Sequence, residues 1–451
     1  MNLTVSQISL WVNGKVPGDS LRKIKGVCTN SKAVKSGDLF IALKGEKFDA
    51  HDFIDEAVKR KAAAVLVSRR PRRPVKIPVI FVKDTTLALG LLAKHYRAQF
   101  DIPVIAITGS AGKTTTKEIT AAVLSAKYRV LKSPSSWNNR IGLPLTLLQL
   151  RRRHQAAVLE IGTNQPGDIR TLTEIARPTI AILTTVGPSH LQGLKSEEEV
   201  FREKTDLLRF MPKGDVIVNA DNPDLARIPG RFRRHRVCTY GTDAAADFRA
   251  DDIRFSRGRW RFSVGGHKMA VGSPVRSDVS NALAAISCGR LLNVSYNDIY
   301  KYIGKFKQPP GRQNLCRRGT VLILDDTYNA NPVSVKSALE TLRDLPLRGR
   351  RIFVFADMLE LGRRAPVLHK AVGRDAAAAG VDIFYTLGDQ ARFAAETFAG
   401  RGEARHFSSR QKLHQRLKQV TGPRDGILVK GSRGMGMEQT VEFLKKTVTG
   451  R

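Results

Sequence analysis

Val104-Ile105-Ala106-Ile107-Thr108-Gly109-Ser110-Ala111-Gly112-Lys113-Thr114-Thr115 runs from an apolar strand through a glycine-bracketed turn to Thr116-Lys117-Glu118, where a helix is expected to open. Strand, glycine turn and helix in that order make a phosphate-binding loop. The glycines let the backbone curl so that several N–H groups point inward, and the helix N-terminus adds partial positive charge. Lys113 offsets the β- and γ-phosphates, and Thr114 offers a hydroxyl to Mg²⁺. The widespread form of this loop keeps four residues between its glycines, whereas Gly109 and Gly112 enclose two, and position 106 is alanine. An ordinary strand-to-helix turn is the alternative; the strand before and Lys-Thr-Thr after favour a nucleotide held by Gly109, Ser110, Ala111, Gly112, Lys113, Thr114 and Thr115.

Outward from the loop, further continuous Val/Ile/Ala runs at 157–161, 180–183 and 216–218 suit a parallel sheet covered on both faces. Upstream, the runs 39–43, 64–67 and 79–82 make a small α/β unit, followed by a helical stretch at 87–99. Between 237 and 271 the alternation Trp260-Arg-Phe262-Ser-Val264 predicts an antiparallel patch. Strands at 321–324, 352–355, 383–385 and 427–429 mark a third α/β region, and Gln308-Pro309-Pro310-Gly311 reads as a hinge whose prolines end the preceding helix. The fold class is therefore α/β in three domains, at 1–84, 85–312 and 313–451.

The composition fits that count, since 451 residues with 42% hydrophobic content exceed one ordinary core. Cys28, Cys238, Cys288 and Cys316 are too dispersed for a metal knuckle, a redox pair or a disulfide framework, which points to a reducing cytoplasm. The chain has no basic leader with an apolar core and no apolar run of about 18 residues, so neither export nor membrane insertion is expected. The charge is unusual: 76 Lys+Arg against 41 Asp+Glu, a net +35. Such an excess raises a nucleic-acid-binding NTPase as a rival reading. The basic residues, however, lie in short dispersed clusters and are rarely interleaved with aromatics, so solvated faces and no specific nucleic-acid partner are expected.

The shortened Thr108-Gly109-x-x-Gly112-Lys113-Thr114-Thr115 resembles the ATP loop of the Mur ligases and the related folylpolyglutamate synthases. The resemblance implies a small N-terminal UDP-binding domain, a central P-loop-type ATPase domain on a mostly parallel sheet, and a C-terminal Rossmann-like domain. It also supplies roles. Glu160, in Leu159-Glu160-Ile161-Gly162-Thr163-Asn164, stands where the family has an Mg²⁺ ligand; alone, a strand-end glutamate serves as readily in a salt bridge. His190, in Ser189-His190-Leu191, matches the ligand of a second Mg²⁺, and Lys204, 204 − 190 = 14 residues on, matches a lysine carbamylated by CO₂. That modification gives the cation an anionic support where an ammonium would repel it. Asn138 and Asn139, in the segment resembling N-N-x-I-G-x-P, and Asn164 are expected to line the site.

Asp325-Asp326-Thr327-Tyr328-Asn329-Ala330-Asn331 resembles the D-D-[ST]-Y-N-A-N string of the branch that adds D-alanyl-D-alanine, and argues against a sister ligase or a folylpolyglutamate synthase. By this resemblance Asp326 holds the ATP ribose, Tyr328, Asn329 and Asn331 complete the closed site, Arg312 reaches the phosphates and Asn281 lies beside the adenine. Ser432 and Arg433, in Val429-Lys430-Gly431-Ser432-Arg433, and the segment Ala356-Asp357-Met358-x-Glu360-Leu361-Gly362 match third-domain motifs. Near the N-terminus, residues 42–53 resemble the segment that holds a uridine diphosphate, with Gly45, Phe48, Asp49 and His51 as contacts, joined by Ser31 and Lys32. Three departures stand out: Lys32 where relatives have arginine, Gln165 where they have histidine, and Ser277-Asp278 where they have His-Asn. The function implied is ATP- and Mg²⁺-dependent joining of D-alanyl-D-alanine to UDP-N-acetylmuramoyl-tripeptide through an acyl phosphate, by a monomer.

Overall fold

The computed structural model describes residues 1, 3–18, 20–45, 48–400 and 402–448. Glu46 and Lys47, within the segment read as uridine diphosphate-binding, lie outside the described residues. Three parallel-rich sheets follow one another along the chain. The first orders Gly26–Cys28, Asp38–Ile41, Ala64–Val67 and Val79–Phe81 side by side. Its inner strands are buried throughout, as continuous apolar runs require.

The central sheet has seven parallel strands, in the spatial order Phe248–Arg249, Arg236–Gly241, Asp215–Asn219, Ile180–Leu183, Val104–Thr108, Ala156–Glu160 and Val130–Lys132. The chain leaves Val104–Thr108, fills one side of the sheet, and then crosses to Ile180–Leu183 on the other. That reversal opens a crevice at the carboxyl ends of these strands, where open α/β sheets bind ligands. The loop at 109–112, Glu160 and the 184–190 loop all leave the sheet at this edge. Helices Lys113–Leu124 and Ser277–Leu291 cover one face, their apolar sides packed with Ile105, Ile107 and Ile182.

In the third sheet, the antiparallel edge Asn314–Arg318 is followed by the parallel strands Val321–Asp326, Gly426–Lys430, Arg351–Ala356, Ile383–Leu387 and Glu403–Phe407. Three local expectations need correction. The strand at 236–241 continues the parallel sheet, and the antiparallel patch starts only at Asp251, with Asp251–Ser256, Arg259–Val264 and His267–Val271. The phosphate-loop helix begins at Lys113, because Gly112 in the left-handed region (φ +81°) already serves as its N-cap. The helix before the hinge ends at Ile303, short of Pro309-Pro310, so the prolines stiffen the connection without terminating the helix. Among the described residues no helix is long and apolar enough to cross a membrane, and the four cysteines are unpaired.

Candidate active site

A cleft of about 450 Å³ lies between the carboxyl edges of the central and third sheets. Its floor is the phosphate loop, and two glycines are forced there by close approach. At Gly109 (φ +151°) a Cβ would sit 2.0 Å from Thr184 Oγ1, and at Gly112 a Cβ would sit 2.6 Å from Asn281 Oδ1. Neighbouring strands hold the loop. Ser110 N donates to Thr185 O (2.7 Å), Ser110 Oγ to Gly187 O (2.8 Å) and Thr184 Oγ1 to Ala111 O (2.6 Å). The helix that follows leaves its first N–H groups aimed at the cleft, the arrangement that attracts phosphate oxygens.

Around this floor the residues singled out in the sequence converge. Thr114 Oγ1 donates to Glu160 Oε2 at 2.8 Å, Asn138 Nδ2 donates to the other carboxylate oxygen at 2.7 Å, and an Arg312 guanidinium nitrogen lies 3.1 Å from Thr114 Oγ1. Lys113 Nζ donates to Gly109 O at 2.8 Å. Burial pushes its ammonium down, Glu160 opposes this, and Arg312 adds to it. A hydroxyl and a carboxylate 2.8 Å apart beside the loop fit Mg²⁺, which takes one or two protein oxygens together with phosphate and water. Lys204, 1% exposed, has no hydrogen-bond or ion-pair partner among the described residues. Burial and then Lys113 push its amine well below the ordinary lysine range.

The third sheet closes the roof. Asn331 caps the helix Pro332–Asp344, and its Nδ2 also donates to Ser110 O at 3.0 Å. Tyr328 meets Ser136 across the cleft, with the Arg312 guanidinium 4.0 Å from its ring centroid and that of Arg433 5.8 Å away. Asp326 is buried against Lys430 (2.6 Å), whose Nζ also donates to Asn329 O at 2.9 Å. At the far end, Asn281 Nδ2 donates to Asp278, and Asn281 Oδ1 accepts from Thr116 Oγ1. Thr115, Asn164 and Asn329 also line the cleft.

Two residues expected at this cleft, Asn139 and Ser432, point elsewhere, and the six expected at the uridine diphosphate belong to the first unit. Asn139 Oδ1 accepts from the backbone of Ile141 and Gly142, so it caps its own turn. Ser432 is buried and its Oγ accepts from Leu359 N, holding the third unit's own loop. In the first unit, His51 Nδ1 donates to Asp49 (2.5 Å) and His51 Nε2 accepts from Ser68 N, which leaves the 3%-exposed ring no free nitrogen. Burial would raise the Asp49 carboxyl, but hydrogen bonds from His51 and Arg69 hold it down to about 2. Ser31 Oγ is bonded to Glu56. Lys32, Gly45 and Phe48 face solvent, and none of these six lines the cleft. Sequence reading singled out neither Thr184 nor the contacts of Gln308 and Ser136; their partners are brought near only by the fold.

Asp278 gives this end of the cleft a pH dependence. Burial pushes its carboxyl up to about 6, against hydrogen bonds from Ser273, Asn281 and Gln308, and Asp326 adds to the rise. The folded state therefore holds this proton to higher pH than the unfolded chain does. Stability from the site is full below the unfolded pKa and declines as pH rises through about 6. The total is about 3 kcal/mol, roughly half of it between pH 5 and 8. Asp278→Asn should flatten that decline, so urea unfolding of variant and wild type should differ more in the variant's favour at pH 8 than at pH 5. Parallel pH profiles would contradict it.

Comparison with known proteins places this geometry. The Mur ligase family catalytic domain matches residues 23–97, the Mur ligase middle domain 107–289, and the Mur ligase glutamate ligase domain 311–433. The UDP-N-acetylmuramoyl-tripeptide–D-alanyl-D-alanine ligase of Escherichia coli (strain K12) is 36% identical over 100% of both chains, and that of Bacillus subtilis (strain 168) 34% over 98% of both. A crystal structure of MurF from Acinetobacter baumannii superposes with a TM-score of 0.91 at 31% identity, covering 99% of each chain. MurF ligase from Thermotoga maritima in complex with ADP gives 0.83 at 29% identity, over 94% of this chain and 97% of that one. With relatives above 30% identical along its whole length, the chain belongs to the Mur ligase family, in the branch of the UDP-N-acetylmuramoyl-tripeptide–D-alanyl-D-alanine ligases.

Proposed function

We propose that the chain joins D-alanyl-D-alanine to UDP-N-acetylmuramoyl-tripeptide in peptidoglycan synthesis, with ATP as the phosphoryl donor and the acyl phosphate of the tripeptide as intermediate. The observation that carries this is the convergence of the phosphate loop, Glu160 and Arg312 with the Asp326–Asn331 string on one cleft. The division of labour proposed is 1–84 for the uridine diphosphate end, 85–312 for the nucleotide and 313–451 for closure over the dipeptide.

Mg²⁺, held by Thr114 and Glu160, would supply positive charge to offset that of the phosphates during transfer to the tripeptide carboxylate. The protein's part is positioning. Lys113 and the loop N–H groups hold the β- and γ-phosphates, and Thr114, Glu160 and His190 are the side chains that would hold Mg²⁺. Arg312, delivered by the hinge, adds positive charge where the transferred group carries its own. Asn138 fixes Glu160 by holding one of its oxygens. Lys204, as a carbamate, would supply an anion to hold a second Mg²⁺. Closure of the third unit over Ser110 and Ser136 excludes the water that would hydrolyse an acyl phosphate. The amine of the dipeptide then attacks the acyl carbon, the amide forms and phosphate leaves.

The test is phosphate release by the purified chain with ATP, Mg²⁺, UDP-N-acetylmuramoyl-tripeptide and D-alanyl-D-alanine, omitting each in turn. Release should require all four. Release that ignores the dipeptide would sink the assignment, and stimulation by DNA or RNA would favour the NTPase reading.

A further inference from the structure

One contact between the central and third units reaches a reacting-site side chain through a residue with no assigned role. Glu360 Oε2 lies 2.7 Å from His190 Nδ1. Both residues sit in the left-handed region, at φ +64° and +54°, so each side chain leaves its loop in a direction an extended or helical backbone would not give. Around them the backbones interlock. Gln192 N donates to Glu360 O at 2.9 Å, and a Cβ on Gly362 would sit 3.3 Å from Gln192 Cα. Further out, Arg364 pairs with Glu197 at 2.7 Å, with both side chains about half exposed.

We propose that Glu360 is a positioning residue that sets the tautomer and orientation of His190 when the third unit docks; this rests on the ligase reading above. An ionised carboxylate only accepts hydrogen bonds, so Nδ1 carries the proton and Nε2 keeps its lone pair for the cleft. A second partner of this kind fixes the ring and makes the free nitrogen a better donor of electrons. The imidazole is thus correctly set only in the docked arrangement, which ties the chemistry to closure. The Arg364–Glu197 pair contributes to the same docking but touches no ring, and being exposed it adds little energy.

Docking and positioning can be separated in the full chain. Glu360→Ala should lower kcat by about 10- to 100-fold with the nucleotide KM unchanged. In ligand-free protein labelled with ¹⁵N-histidine, its His190 ring signals, assigned by their loss in His190→Asn, should move from one tautomer toward a mixture. Glu360→Gln, whose amide oxygen can still accept from Nδ1, should recover part of both readouts. Arg364→Ala should change neither. The proposal is overturned if Glu360→Ala keeps wild-type kcat, if its kcat falls while the His190 ring signals stay fixed, or if Arg364→Ala reproduces its behaviour. A wild-type chain that releases no phosphate in response to the dipeptide would overturn the ligase reading instead, and the ring signals would still decide Glu360.

Discussion

Lys113→Ala is expected to fold like the wild type and to lose turnover by about 10²- to 10³-fold, the scale of removing one preorganised charge-stabilising donor. The side chain sits at the start of its helix, and its Nζ donates only to the carbonyl of Gly109, so alanine removes no core contact. What it removes is the cation nearest the place where the β- and γ-phosphates would lie. Arginine is not expected to substitute, because its planar fork does not reproduce the compact point charge of the ammonium. Phosphate release together with thermal unfolding checks this. A well-folded Lys113→Ala protein with normal turnover would remove the basis of the phosphate-loop assignment.

Lys204→Ala should cost a similar 10²- to 10³-fold, with the difference that small carboxylates restore part of it. The residue lies on the inner face of the helix Glu197–Phe210, 1% exposed, with no partner among the described residues. Its neighbour Glu203 is occupied by Thr163 and by the backbone of Gly167 and Ile169. Burial, and then Lys113, lower the pKa of this amine, so it gives up its proton more readily, and the unprotonated amine is a nucleophile. It can therefore form an N–C bond with CO₂ and release a proton to water, ending as an anion. Alanine leaves a gap into which formate or acetate fits, supplying the same charge. Rescue by primary amines but not by carboxylates would show that the group acts as an ammonium and would overturn the carbamate.

The elements that carry the site were legible because their signals are local. Val104–Thr108 is apolar at every position but its last, a pattern that suits a strand covered on both faces, and the Gly-x-x-Gly-Lys-Thr-Thr after it favours a phosphate loop. What stayed hidden depends on partners distant in sequence. Asn138 and Asn139 are chemically identical, and only the fold turns one toward Glu160 and the other into its own backbone. His51 lies in a segment that resembles a ligand site, yet Asp49 and Ser68 use both of its nitrogens. The strand at 236–241 reads in sequence as part of an antiparallel patch because its pairing with Asp215–Asn219 leaves no mark on its own residues.

The cations around the cleft have a mechanical consequence. Lys113 belongs to the floor and Arg312 arrives from the hinge; burial lowers the Lys113 ammonium, Glu160 opposes this, and Arg312 adds to it. Bringing the hinge to the floor therefore sets two cations side by side, and a bound polyphosphate is the counter-ion that relieves their repulsion. Once phosphate has left and the remaining nucleotide carries less charge, that repulsion is only partly balanced. The closed cleft then works as a loaded electrostatic spring whose recoil favours opening, so the positive charge that gathers the substrates also helps to eject the products.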